Sequence, residues 1–182
     1  GMLFTTDPYQ GRIFAFDMDG NLLDWLDTDL PPGSLTGMAF DDDGNMFITE
    51  SISGSVYRVP AGSNERELFI QDALLVGDVA VSPTPFPIGA NGIVYDDQAD
   101  TILVANSQVP AVIEIEDNCG SAGAVSVLSS GENLRGADGL SIDRRGDVIV
   151  VSNFNSTVSV IDRDTGVAEI IADESDGLLF PS

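Results

Sequence analysis

Residues 37–60 read GMAFDDDGNMFITESISGSVYRVP, and residues 139–162 read GLSIDRRGDVIVVSNFNSTVSVID. The two stretches superimpose without a gap at an offset of 102 residues. Both run glycine, apolar strand, aspartate, glycine turn, second apolar strand, polar turn, third strand. A third copy opens at Gly92 and takes one inserted residue near Asp97 to Asp100, aligning Ile102, Leu103 and Val104 with Phe47, Ile48 and Thr49. A fourth is headless: residues 2–17 match residues 45–60 at an offset of 43, beginning at the second strand. Self-similarity on this scale marks a repeat architecture.

Within each copy the apolar segments are short, rich in Val, Ile, Phe and Thr, and separated by Asp-Gly, Ser-Gly or Asn-Ser pairs, which is the grammar of hairpins. A fourth strand follows at Leu22 to Leu26, Glu67 to Gln71, Ala124 to Leu128 and Val167 to Ile171. Four antiparallel strands repeated in this way describe the blade of an all-β propeller. A β-sandwich also has many short strands, but not an ungapped repeat of this length. The blades are expected at about 2–30 (lacking the first strand), 35–75, 90–130 and 137–175, with 176–182 starting a further one. The whole of 1–182 is then a single partial propeller of about three and three-quarter blades. Either the tail completes the headless blade and closes a ring, or an open arc must be covered by another copy. A homo-oligomer, and specifically a dimer, is the expectation for a stable chain.

Composition removes many chemistries. The 182 residues include 30 Asp plus Glu, 7 Arg, no Lys, no His and one Cys, for a net charge of -23. Histidine-based triads and His-ligated metal sites are excluded, as are internal disulfides. So negative a chain is a poor partner for nucleic acid or anionic membranes. Asp-rich, lysine-free acidity suits a salty medium, halophilic or marine, where screening removes self-repulsion. No run of about 18 apolar residues offers a membrane span, and the first residues lack the basic and long apolar regions of a signal peptide. The compartment stays unassigned.

Each complete copy places one oxygen-bearing residue before its first glycine: Thr36, Asn91 and Asp138. In a propeller the innermost strands line a central channel, so these three converge on one mouth of it. Converging oxygens, one carboxylate and one amide, suit Ca²⁺ or another hard divalent cation. Equally, Asn and Asp hydrogen-bond turn backbone before a strand. Glu50, Asn106 and Asn153 end or follow second strands and are candidates for the channel rim.

Residues 89–96, GANGIVYD, and 136–143, GADGLSID, resemble paired blade openings of the gluconolactonase and regucalcin family of six-bladed propellers, and NHL-repeat propellers more broadly. The resemblance spans about residues 35–182. It implies that Asn91 is a metal ligand, that Asp138 is a ligand and the catalytic general base, and that a small lactone or sugar acid is the ligand. The family's remaining acidic ligand has no counterpart, Leu35-Thr36 stands where an Asn-Asp pair is usual, and fewer than four blades are present. Catalysis by this chain alone is therefore not expected, and a non-enzymatic NHL-like binding propeller is the alternative.

Other signals read as structure. The segments 17–21 and 41–45 open like calcium loops but lack the closing glutamate at the twelfth position, and are expected to be hairpin turns. The proline-rich stretch from Val76 to Gly89, with Pro83, Pro85 and Pro87, is an inserted surface connection leading to Asn91. Cys119 lies in a turn without a basic neighbour in sequence. Trp25 is expected to pack between blades.

Overall fold

A computed structural model describes every residue except Ser82, Pro83 and Pro85. The alternating apolar runs become four antiparallel sheets, each built from consecutive strands. The first has three strands, β1 (Met2–Asp7), β2 (Arg12–Asp17) and β3 (Leu22–Asp27). The second comprises β4 (Leu35–Phe40), β5 (Met46–Glu50), β6 (Ser55–Val59) and β7 (Glu67–Gln71). The third comprises β8 (Ala90–Asp96), β9 (Thr101–Asn106), β10 (Ala111–Asp117) and β11 (Ala122–Ser130). The fourth comprises β12 (Ala137–Ile142), β13 (Val148–Ser152), β14 (Thr157–Ile161) and β15 (Ala168–Ala172). The chain is an all-β partial propeller of about four blades, and the first blade lacks its innermost strand. Among the described residues no helix is long and apolar enough to cross a membrane.

Apolar residues facing a neighbouring blade form three cores. Ile13 and Leu30 meet Met46, Ile48 and Val59 between the first two blades. Phe47 and Val56 meet Ile102, Val104 and Ile113 between the second and third. Leu103, Ala105 and Val112 meet Val148, Val150 and Ile161 between the third and fourth.

The first strands β4, β8 and β12 lie side by side. Each carries the same bulge: between Leu35 and Met38, Ala90 and Ile93, and Ala137 and Leu140, one extra residue stands against the partner strand. An extra residue bends a strand and re-aims its side chains. The bulges contain Thr36-Gly37, Asn91-Gly92 and Asp138-Gly139. A Cβ on Gly37 would stand 2.6 Å from the Asn91 carbonyl oxygen, and one on Gly92 only 1.7 Å from that of Asp138. Glycine is needed because the next blade's backbone fills the place of a side chain.

Hydroxyls staple the blades at the same level. Thr6 donates to the Thr36 carbonyl at 3.3 Å, Thr49 to that of Asn91 at 2.6 Å, and Ser107 to that of Ala137 at 2.6 Å. A backbone relay runs beside them, Gly89 N–H to Ser51 O and Gly136 N–H to Ser107 O, both at 3.0 Å.

Two expectations need correction, and one of two open alternatives is decided. The ladder pairs Met38 with Ile48 and Ile93 with Val104, so Leu103, Val104 and Ala105 correspond to Phe47, Ile48 and Thr49, one residue later than the sequence alignment placed them. A one-residue slip exchanges the two faces of a strand, and both faces here are apolar, so pattern alone did not detect it. Trp25 is 57% exposed, opposite Phe14, because its face of the first blade has no neighbouring blade. The tail does not complete the first blade: residues 178–182 form no strand and lie on the fourth blade, where the Phe180 N–H donates to Ser156 Oγ at 3.2 Å.

The glycine constraint is testable by paired substitutions. Gly92→Ala is expected to cost about 3 kcal/mol or more by overpacking. Gly139→Ala, whose Cβ would meet nothing nearer than 3.7 Å, should stay within about 0.5 kcal/mol. Equal urea midpoints for the two variants would refute the close approach.

Candidate functional site

The candidate residues lie where the bulged first strands begin. Asn91 and Asp138 sit on the first strands of neighbouring blades, which approach so closely that a Cβ on Gly92 would stand 1.7 Å from the Asp138 carbonyl oxygen. Both are half-buried. Asn91 donates its amide nitrogen to Ser107 Oγ at 2.9 Å, which leaves its Oδ1 as the acceptor atom. Asp138 accepts from the Asn153 amide nitrogen at 3.0 Å. No cation pairs with Asp138 among the described residues. Burial therefore pushes its pKa above the ordinary aspartate value, and the Asn153 hydrogen bond opposes that rise. The outcome is a carboxylate more basic than usual, held in place by one donor.

Of the remaining candidates, only Asn153 hydrogen-bonds one of these two residues. It lies just after β13 and is 9% exposed; its nitrogen reaches Asp138 while its Oδ1 has no hydrogen-bond partner. Thr36, expected as a third channel oxygen, is turned into the gap between blades, where its hydroxyl pairs with Thr49 Oγ1 at 2.9 Å and reaches the Ala90 carbonyl at 3.2 Å. A threonine hydroxyl is too short to span both positions, and the closer carbonyl and hydroxyl hold it. Glu50 is buried and capped by the turn that follows, accepting from the Ile52 and Ser53 backbone at 3.0 and 2.8 Å. Asn106 is wholly buried and donates to the carbonyls of Leu74 and Val76 at 2.9 and 3.0 Å. Neither hydrogen-bonds Asn91 or Asp138 among the described residues.

The separation has a simple cause. Glu50, Asn106 and Ser152 occupy the last ladder position of the second strand, whereas Ser51, Ser107 and Asn153 come one residue later. Alternation turns only the later position toward the bulge. Ser107, which tethers Asn91, was therefore missed in the sequence, although its correspondence with Asn153 was the available signal. The inserted connection is anchored nearby, since Gln108 donates to Thr84 Oγ1 at 3.0 Å and to the Phe86 carbonyl at 3.2 Å. Pro83 and Pro85, part of the proline-rich reading, lie outside the described residues.

The aspartate turns are what their spacing suggested. Asp17 Oδ1 accepts from the Asp19 and Asn21 backbone at 2.9 and 2.8 Å, Asp41 from Asn45 at 2.7 Å, and Asp143 from Arg145 and Asp147 at 2.7 and 3.1 Å. These carboxylates close hairpins; the Asn21 side-chain amide and then the turn N–H groups hold the pKa of Asp17 down, and the Arg145 N–H does so foremost for Asp143. Among the described residues no group of three or more His, Cys, Asp or Glu is placed to hold a metal ion.

No protein-family model matches the chain, and no curated protein does. Solved structures do match. A gluconolactonase from Xanthomonas campestris superimposes with a TM-score of 0.70 at 18% identity, covering 93% of this chain and 58% of that one. A chain of the nidogen/laminin complex gives 0.68 at 19%, covering 94% and 60%. Virginiamycin B lyase from Staphylococcus aureus gives 0.66 at 15%, covering 93% and 51%. The chain thus spans little more than half the length of these neighbours. At such identities the likeness is one of fold alone, and the fold is a β-propeller.

Proposed function

We propose that this chain contributes the ligands of a divalent-cation site in a propeller channel, of the kind used by lactone hydrolases. The observation that carries the reading is Asp138: a half-buried carboxylate without a cationic partner, on the strand adjacent to Asn91. The donors fit a hard cation in kind. A carboxylate and an amide oxygen with its nitrogen tied to Ser107 are ligands suited to Ca²⁺, which takes six to eight oxygens in all. The others would come from water or from neighbouring blades, since Thr36 is committed to the fold. A bound cation would supply polarisation of a lactone carbonyl. Asp138, made more basic by burial, is suited to accept a proton from water, while Asn153 fixes the orientation of its carboxylate. Lactone opening would require the further blades that complete a channel, so cation binding is the activity proposed for this chain itself.

The commitment of Thr36 to an inter-blade bond favours a second reading, a non-enzymatic binding propeller whose mouth residues serve the fold. Calorimetric titration with Ca²⁺ separates the two. Site-specific uptake lost in Asp138→Asn, and retained in the exposed-turn variant Asp43→Asn, is expected for a cation site. At a hundredfold excess over Kd the bound ion should add about 2.7 kcal/mol of stability. Weak uptake unchanged by Asp138→Asn, as a surface of this charge gives on its own, would establish the binding-module reading instead.

The raised pKa of Asp138 also sets a pH dependence in metal-free buffer. A carboxyl whose folded pKa lies above its unfolded one contributes stability below the unfolded pKa, and this is lost as pH rises through the folded value. Asp138→Asn keeps the acceptor for Asn153 and removes that ionisation. At neutral pH it should be the more stable protein, with the advantage fading as pH falls through the raised folded value of Asp138 and gone below the ordinary aspartate range. Urea midpoints that differ by the same amount at every pH would contradict the desolvation of Asp138.

A further inference from the structure

Two residues that follow a second strand hold Asn91 and Asp138, and they do so with opposite hydrogen-bond polarity. Ser107 comes directly after β9, and Asn153 directly after β13. Each bonds the residue that precedes the bulge glycine of its own blade: Ser107 accepts from Asn91 at 2.9 Å, and Asn153 donates to Asp138 at 3.0 Å. In the second blade the same two positions are Ser51 and Thr36, and each is engaged elsewhere, Ser51 with the Ser34 carbonyl at 3.2 Å and Thr36 with Thr49 at 2.9 Å.

The polarity at Ser107 follows from a count of protons. Its Oγ lies 2.6 Å from the Ala137 carbonyl oxygen, which has no hydrogen to give. A hydroxyl carries one hydrogen, and this contact takes it. Toward Asn91 the same oxygen offers lone pairs only, so the group facing it must be the amide nitrogen. Backbone bonds fix the place of that hydroxyl: Ser107 is 2% exposed, its N–H donates to the Gly89 carbonyl at 3.2 Å, and its carbonyl accepts from the Gly136 N–H at 3.0 Å. Asn91 Oδ1 is thereby turned away from Ser107. Among the described residues neither it nor Asp138 Oδ1 has a protein donor. A carboxylate at position 91 would set lone pairs against lone pairs.

We propose that Ser107 is a positioning residue that admits an amide and excludes a carboxylate at position 91. It leaves the Asn91 oxygen free, and it keeps the charge of the Asn91 and Asp138 pair at that of one carboxylate. The use of that oxygen for a cation rests on the function proposed above; its orientation does not, since it follows from the bonds of Ser107 alone.

A double-mutant cycle in metal-free buffer at neutral pH tests the orientation. Asn91→Asp is nearly isosteric, and with Ser107 in place it should lower the folding equilibrium constant about tenfold or more, because a donor is replaced by a charge facing a buried acceptor. In the Ser107→Ala background the same substitution should cost less than about threefold. Repulsion from Asp138 is common to both backgrounds and cancels in the comparison. Equal costs in the two backgrounds would overturn the proposal, since a hydroxyl serving only the Ala137 carbonyl gives that result.

Calorimetric titration with Ca²⁺ reads the consequence. Ser107→Ala leaves the Asn91 amide unheld and should weaken uptake about ten- to a hundredfold, as removal of a residue that orients a metal ligand does. Uptake lost in Asp138→Asn but unchanged in Ser107→Ala would also overturn the proposal. No site-specific uptake by any variant, with the two backgrounds still differing, would remove the cation reading and leave the positioning role of Ser107 standing.

Discussion

The architecture depends on backbone meeting backbone where the first strands of successive blades lie side by side. Gly37 and Gly92 give up a side chain so that the carbonyl of the next blade's bulge can occupy its place, and Thr49 donates to the Asn91 carbonyl from the blade behind. A carbonyl buried in such a seam must find a donor. The hydroxyls of Thr6, Thr49 and Ser107 meet that requirement at successive junctions. Because the bulge that admits the neighbour also re-aims the preceding side chain, fold and candidate site share one geometric device. Asn91 and Asp138 take their places for the same reason that the blades can pack side by side.

Charge follows a similar logic of local use. Seven arginines cannot pair with thirty carboxylates, and many aspartates here accept backbone N–H groups of their own turns, as Asp17, Asp41, Asp143, Asp162 and Asp173 do. A carboxylate satisfied by its own hairpin needs no counter-ion to be stable there. Arg163 reaches across a seam from the fourth blade to Asp96 and Glu114 of the third. Asp138 belongs to neither class, since its donor is a side chain and its surroundings are partly dry.

Much of the fold was legible because the information is periodic. The headless first blade, the three complete ones and the outer strands followed from the repeat, and β7 runs over the residues expected of it, Glu67–Gln71. The candidate site was legible in part. Asn91 and Asp138 stood out because each precedes a repeated glycine, and Asn153 because it follows a second strand. Glu50 and Asn106 were grouped with Asn153 although they lie one position earlier, and a parity error of one residue reverses where a side chain points. Ser107 went unnoticed because the inserted residue of the third blade hid its correspondence.

What the chain's sequence determined by itself is the set of local choices: where strands alternate, where aspartate and glycine turn the chain, and which strand each blade starts on. Those depend on neighbours within a few residues, so they survive being read in one dimension. Tertiary structure alone decided that Thr36 turns into a seam, that Trp25 faces outward, and that the tail rests on the fourth blade. Each of these depends on which blade lies next door, and on the distance to its backbone, quantities that no local pattern encodes.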